Sequence, residues 1–230
     1  GILVVEYTGR LGIKGGTFNG SMTNEVGGKV RGGVINGTFT QNDGAGPYAY
    51  VWNGNIDGNL NNVANYANGN GLPVSADSFT IDWAQPHVTE PNSGVSNAGT
   101  VTLAGGAWVN GGTFNGSVIN EYAGWISDGT FNASVVNTGL VSGGTFNDAT
   151  DNSFFNASTG TVSGGVFYTP NFLNEGTISG GQFNGAVLND GAISSGIFTG
   201  SLIQDAGAGS ITGGDFSNLT YLELRYGSSP

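Results

Sequence analysis

The chain has 230 residues, of which 44 are glycine and none is cysteine, and its formal net charge is −11. Glycine without a strict three-residue period excludes collagen, and no apolar run approaches the roughly 18 residues that a membrane-spanning helix needs. None of the five basic residues lies between residues 32 and 224. Phosphates would therefore meet an acidic surface, so we expect no nucleic-acid partner. The lack of a long apolar run predicts no membrane span.

The first part of the chain predicts a solenoid start followed by an irregular stretch. Residues 1–14 begin with GILVV, which favours an N-terminal strand or cap. Residues 15–41 predict the first coils of a repeat. Regularity is then lost over residues 42–94, for which we expect irregular coils or a loop excursion.

A short phrase, GGTFN or a variant of it, recurs through the regular region, residues 95–218. Copies begin at residues 111, 128, 143, 164, 180, 195 and 213, at spacings of 17, 15, 21, 16, 15 and 18 residues. Helix-pair and propeller repeats need about 33 residues or more. The spacing therefore predicts that each repeat forms one turn of a β-solenoid, which is a one-dimensional stack of coils.

The shortest units divide into three groups of five residues, each with a small residue second and an apolar residue fourth. Aligning the coils predicts three inward stripes around a roughly triangular core. The first stripe is Phe18, Phe114, Phe131, Phe146, Phe167, Phe183, Phe198 and Phe216. The second is Ile119, Val136, Phe155, Leu173, Leu188 and Ile203. The third is Val30, Ile126, Val141, Val162, Ile178, Ile193 and Ile211.

Two polar columns run beside these stripes. One follows the third stripe and consists of Ser127, Ser142, Ser163, Ser179, Ser194 and Thr212. The other follows the second stripe and consists of Asn120, Asn137, Asn156, Asn174 and Asn189, with Gln204 last and Asn24 earlier. Stacked asparagine side chains can hydrogen-bond along a stack, so we interpret this column as a structural ladder at a turn rather than as a ligand-binding array.

The predicted fold is therefore all-β: a single parallel β-solenoid over residues 1–230, with coils of about 15–21 residues and a C-terminal strand or cap at residues 219–230. Glycine-rich coils with polar columns and β-rich ends resemble the β-solenoid repeats of microbial cell surfaces, namely adhesin stalks, autotransporter passenger domains and subunits of extracellular fibres or sheaths. The resemblance covers about residues 11–41 and 95–218. It implies an extracellular or cell-surface location and a structural or adhesive role.

The sequence contains none of the usual catalytic or cofactor signatures. One histidine and no cysteine cannot form a common zinc site, and no nucleophile elbow or phosphate-binding loop occurs. Polysaccharide lyases on β-helices use a basic group that is missing from the middle of this chain. We therefore expect a protein that is not an enzyme and that has no cofactor.

Two alternatives remain open. In a carbohydrate-binding or carbohydrate-cleaving β-helix, the irregular stretch would contact a glycan through Tyr48, Trp52, Trp83 and His87, because loops on a rigid scaffold usually carry recognition. In an ice-binding protein, an outward threonine array would include Thr113, Thr130 and Thr145. The array is interrupted in later coils, which makes this the lesser alternative.

Both ends of the chain predict strands rather than capping helices, and exposed strand edges favour pairing with another chain. The first 31 residues carry four basic and two acidic groups, whereas 14 of the 16 acidic residues lie between residues 32 and 224. Unlike ends can attract one another. The sequence therefore predicts a homo-oligomer formed through the solenoid ends, as in a self-assembling fibre, sheath or layer, or else the shaft of an adhesin.

Overall fold

The computed structural model describes residues 94–96, 98–149, 153–205 and 209–225, together with the backbone of seven strands between residues 2 and 82. Of those seven strands, only Ser78, Thr80 and Ile81 have described side chains. This part of the chain contains 25 strands and no helix. In chain order they are β1 (Ile2–Val5), β2 (Thr17–Phe18), β3 (Ser21–Glu25), β4 (Val34–Ile35), β5 (Phe39–Asn42), β6 (Ala49–Val51), β7 (Ser78–Asp82), β8 (Val95–Ser96), β9 (Thr100–Ala104), β10 (Trp108–Phe114), β11 (Ser117–Asn120), β12 (Trp125–Phe131), β13 (Val135–Asn137), β14 (Leu140–Val141), β15 (Thr145–Phe146), β16 (Phe154–Asn156), β17 (Thr161–Val162), β18 (Val166–Phe167), β19 (Asn171–Asn174), β20 (Thr177–Phe183), β21 (Ala186–Asn189), β22 (Ala192–Phe198), β23 (Ser201–Gln204), β24 (Ser210–Ile211) and β25 (Tyr221–Leu224).

Parallel pairing between successive coils builds a β-solenoid, which confirms the predicted fold class. The tube has three walls, which we number after the predicted stripes. The second wall is one ten-stranded sheet in the order β6-β7-β9-β11-β13-β16-β19-β21-β23-β25. The other ten-stranded sheet forms the first and third walls, because β10, β12, β20 and β22 each cross the corner between them with a shift in register. Near the N-terminus, β1-β3-β5 and β2-β4 form two smaller parallel sheets.

The phenylalanine column of the first wall lies inside the tube, as the repeat predicts. Six of its rings are buried and Phe216 is partly buried at the C-terminal end. Successive rings stack face to face with centroids 4.6–5.1 Å apart, in the order Phe114, Phe131, Phe146, Phe167, Phe183, Phe198 and Phe216. This distance is close to the 4.7–4.9 Å between neighbouring strands. Each ring therefore packs directly on its counterpart in the next coil. Phe18 lies outside the described side chains.

The predicted stripe of the third wall also points inward, whereas the predicted stripe of the second wall points outward. Ile126, Val141, Val162, Ile178 and Ile193 are buried, Ile211 is partly buried, and Val30 lies outside the described residues. In the second wall the predicted stripe is wrong by one residue. The buried side chains are Val118, Val135, Phe154, Phe172, Val187 and Leu202, whereas Ile119, Val136, Phe155, Leu173, Leu188 and Ile203 point outward.

The asparagine column explains this error. Side chains alternate across a strand, so the residue two places before each inward asparagine also points inward. The five asparagines Asn120, Asn137, Asn156, Asn174 and Asn189 are fully buried. The prediction placed the asparagines at a turn beside the core, and burial of an amide requires hydrogen-bond partners. Here each amide has hydrogen-bond partners inside the tube.

A glycine lies two residues before each phenylalanine, where the chain turns the corner into the first wall. At Gly144 the backbone φ is +99°, which L-residues with a side chain rarely adopt. A Cβ at this position would also lie 3.2 Å from both the Gly129 carbonyl oxygen and Cε2 of Phe131. The glycine therefore permits the turn and leaves room for the stacked rings.

We expect Gly144→Ala to lower the free energy of unfolding by about 1–3 kcal/mol, because alanine would strain the backbone and crowd Phe131. The neighbouring outward substitution Thr145→Ala should change it by less than about 0.5 kcal/mol. Denaturant unfolding followed by circular dichroism measures both values. Equal losses for the two variants would contradict the proposed role of the glycine.

Candidate functional site

A buried ladder of amide side chains runs along the second wall. Asn120 Nδ2 donates to Asn137 Oδ1 at 2.7 Å, and the same bond repeats in each following coil. The donor–acceptor distances are 2.8 Å from Asn137 to Asn156, 2.7 Å from Asn156 to Asn174, 2.6 Å from Asn174 to Asn189 and 2.6 Å from Asn189 to Oε1 of Gln204. All the bonds point the same way, so the ladder has a direction along the tube.

Each ladder amide also holds the corner that follows it. Asn156 Nδ2 donates to the Gly160 carbonyl oxygen at 3.2 Å, and Asn189 Nδ2 donates to that of Gly191 at 3.0 Å. A Cβ on Gly160 would lie 2.3 Å from Asn156 Oδ1, so the corner residue has to be small. The column thus links neighbouring coils and fixes the turn into the third wall, which is a structural use of the amides.

The ladder ends against apolar residues. At its N-terminal end, Asn120 is in register with Leu103, and Asn120 Oδ1 has no hydrogen-bond donor among the described residues. At its C-terminal end, Gln204 is in register with Leu224 of β25. Because Leu224 has no side-chain amide, the hydrogen-bonded column of side chains stops at Gln204.

The C-terminal end of the tube exposes residues of the kind that are buried elsewhere. Leu222 is in register with Leu202, yet Leu222 is 52% exposed and Leu202 only 1%. Leu224 is 50% exposed. Together with Ile211 and Phe216 these side chains line an apolar hollow at the end of the core. No described strand pairs with the outer edge of β25.

The strands and corners at this end of the tube also carry charged groups. Arg225 Nε donates to Glu223 Oε1 at 2.8 Å, and Arg225 also lies 3.9 Å from a carboxylate oxygen of Asp205. The hydrogen bond from Arg225 lowers the pKa of Glu223, and the bond that Glu223 accepts from the Tyr221 hydroxyl raises the pKa of Tyr221. Backbone hydrogen bonding from Ser217 lowers the pKa of Asp215. Three acids and one base thus leave this end negative at neutral pH.

A pair of tryptophans lies on the outside of the third wall. Trp108 and Trp125 are in register and stack with ring centroids 5.1 Å apart. Their indole nitrogens donate to Ser127 Oγ and Ser142 Oγ, each at 2.6 Å. Sequence analysis missed this pair, although its separation of 17 residues equals that of Phe114 and Phe131. The stack covers one face of each ring, and Trp125 remains 38% exposed.

The residues expected to contact a glycan, Tyr48, Trp52, Trp83 and His87, lie outside the described residues. The threonines of the ice-binding alternative, Thr113, Thr130 and Thr145, are in register on the outside of the first wall. Val166, Gln182, Ile197 and Asp215 continue that column, so threonine is not maintained.

Metal-binding clusters and membrane-spanning helices are both absent from the described residues. These residues hold no group of three or more histidine or acidic side chains placed to bind a metal ion. They also contain no helix with the length and hydropathy that membrane crossing requires. Comparison of the chain with protein-family models, curated proteins and solved structures gives no match.

We expect Asn156→Ala to lower the free energy of unfolding by at least about 2 kcal/mol. The substitution leaves Asn137 Nδ2 without its ladder acceptor and Asn174 Oδ1 without its ladder donor inside the core. Asn132→Ala is a matched control, since Asn132 lies in an exposed row with Asn115 and Asn147. That change should cost less than about 0.5 kcal/mol. Chemical denaturation compares the two, and similar losses would show that burial does not strengthen the ladder.

Proposed function

We propose that the protein is a non-enzymatic structural protein of the cell exterior, a β-solenoid subunit that stacks end to end into a fibre, sheath or layer of the kind found at microbial surfaces. The observation that carries the proposal is the apolar hollow at the C-terminal end, where Leu222 and Leu224 are half exposed. Extended apolar surface that ends a packed core favours a partner that continues the core. The extracellular location rests on the resemblance to surface solenoids.

The N-terminal strand of a second copy is a suitable continuation. Both β1 and β25 have four residues, and both pair in parallel within their own sheets. Val5 is in register with Asn24, which belongs to the asparagine column by sequence, and Leu224 is in register with Gln204 of the same column. Adding β1 to the edge of β25 in this register would place Leu3 over Leu222 and Val5 over Leu224. The apolar ends of the two columns would then meet.

Charge supports the same direction of stacking. The first 31 residues have a net charge of +2 from four basic and two acidic groups. The C-terminal end carries Asp205, Asp215 and Glu223 against Arg225 alone among its described residues. Opposite charges at the two ends favour a head-to-tail encounter, whereas two like ends repel.

We expect Leu222→Lys to abolish concentration-dependent growth of filaments or long oligomers, because a lysine would be buried unpaired at the junction. Tyr168→Lys, at a similarly exposed aromatic residue far from the ends, should leave growth unchanged. Sedimentation velocity and negative-stain microscopy follow assembly, and circular dichroism checks that each variant is folded.

A charge-pair experiment tests the register itself. Leu3→Glu should also stop growth, and the double variant Leu3→Glu/Leu222→Lys should recover part of it, since the two new charges would face one another. A wild-type protein that remains monomeric at all concentrations, across salt and pH, would overturn the proposed function.

A further inference from the structure

An apolar column runs along the outside of the second wall. Its members are in register in six successive coils, namely Ile119, Val136, Phe155, Leu173, Leu188 and Ile203. Val136 is 36% exposed and the other members are partly exposed. The column therefore faces solvent, and its side chains shield each other along the tube.

The strands of this wall have the composition of strands that are covered on both faces. Their central residues are adjacent apolar pairs, such as Val118–Ile119, Phe154–Phe155 and Val187–Leu188. Near-continuous apolar runs are typical of parallel sheets with both faces buried. The first wall differs, because threonines and asparagines such as Thr130 and Asn132 occupy its outward positions in the early coils.

Between β9 and β23 this face carries no charge, and Glu223 of β25, in register with Ile203, is the first charged residue that continues the column. None of the outward positions on β9, β11, β13, β16, β19, β21 and β23 carries a charged residue. The corner that follows the asparagine column is acidic, with Glu121, Glu175, Asp190 and Asp205. The corner on the other edge carries mostly small or uncharged residues, including Gly116, Ala133, Pro170, Gly185 and Gly200, and its sequence has two acids, Asp148 and Asp151, in a single coil.

We propose that this outer face of the second wall is a lateral interface with a second copy of the chain, in which two tubes pack side by side and run in the same direction. A net charge of −11 makes copies repel over most orientations, and the uncharged apolar face is where two of them can pack closely. An isologous contact uses the same patch on both partners, which a self-similar column of aliphatic side chains permits.

The acidic edge decides the orientation. When two copies run in the same direction, related by a two-fold axis along the tube, the acidic edge of one lies opposite the less acidic edge of the other. When they run in opposite directions, the two acidic edges lie together and repel. Parallel packing also leaves both C-terminal hollows at the same end.

The area of the face indicates the strength of this contact. Seven strands at about 4.8 Å spacing and about 13 Å length cover roughly 900 Å² over both copies, at the low end of specific interfaces. One pair is therefore weak alone, and end-to-end stacking multiplies the contact along a fibre. The proposal goes beyond the proposed function, and it does not require the ends to pair.

The test uses the Leu222→Lys variant, in which end stacking is blocked, so that sedimentation equilibrium measures lateral association only. We expect a monomer–dimer equilibrium, and adding Leu173→Lys should weaken it at least about tenfold. Thr177→Lys, at an exposed position of the third wall, is the matched control and should leave it unchanged.

Cysteine cross-linking tests the orientation, because the chain has no cysteine of its own. In parallel packing, Ile119→Cys should cross-link to the same position in a second copy. In antiparallel packing, cross-links would instead require a mixture of Ile119→Cys and Leu188→Cys proteins, and this result would overturn the proposed direction. A Leu222→Lys protein that stays monomeric at the highest attainable concentration, without Ile119→Cys cross-linking, would overturn the lateral interface even if wild-type filaments form.

Discussion

The structure depends on stacking like residues on like residues at the distance between parallel strands. In the first wall this spacing brings phenylalanine rings face to face, and Phe154 and Phe172 of the second wall pack edge-on against them at about 5.0 Å. The same spacing brings ladder amides within 2.6–2.8 Å of one another. A slip of one residue would place every side chain on the wrong face, so the columns hold the register of the whole tube.

Sequence reasoning succeeded where the core is apolar. The phenylalanine column and the third wall follow from period-two alternation and a recurring phrase, because burial of large apolar side chains dominates the choice of face. It failed in the second wall, where Asn137 and Asn156 are buried and Val136 points outward. No single coil shows that an amide can be buried, since its partners come from neighbouring coils. The tryptophan pair was missed because it recurs only once: Leu140 and Thr161 occupy the corresponding place in the next two coils.

The outer surface and the ends have different roles from the core. Inside the tube, neighbouring coils supply the packing contacts of each column and, except at Asn120 Oδ1, the hydrogen bonds of the asparagine ladder. At the C-terminal end and along the second wall, apolar residues continue past what the chain itself covers. The apolar hollow and the outer apolar column both favour assembly. Because each coil pairs with the next one along the chain, a coil of a second copy can pair with an exposed end in the same way. Acidic corners then limit which faces and directions are compatible.

The facing of the second wall is tested most directly by two neighbouring phenylalanines of β16. Phe154 is buried and packs against Phe146, Phe167 and Phe172, whereas Phe155 points outward. In dilute protein, denaturant unfolding should show a loss of about 3–5 kcal/mol for Phe154→Ala and of about 1 kcal/mol or less for Phe155→Ala. Equal losses, or a larger loss for Phe155→Ala, would contradict the inward asparagine ladder and the core built around it.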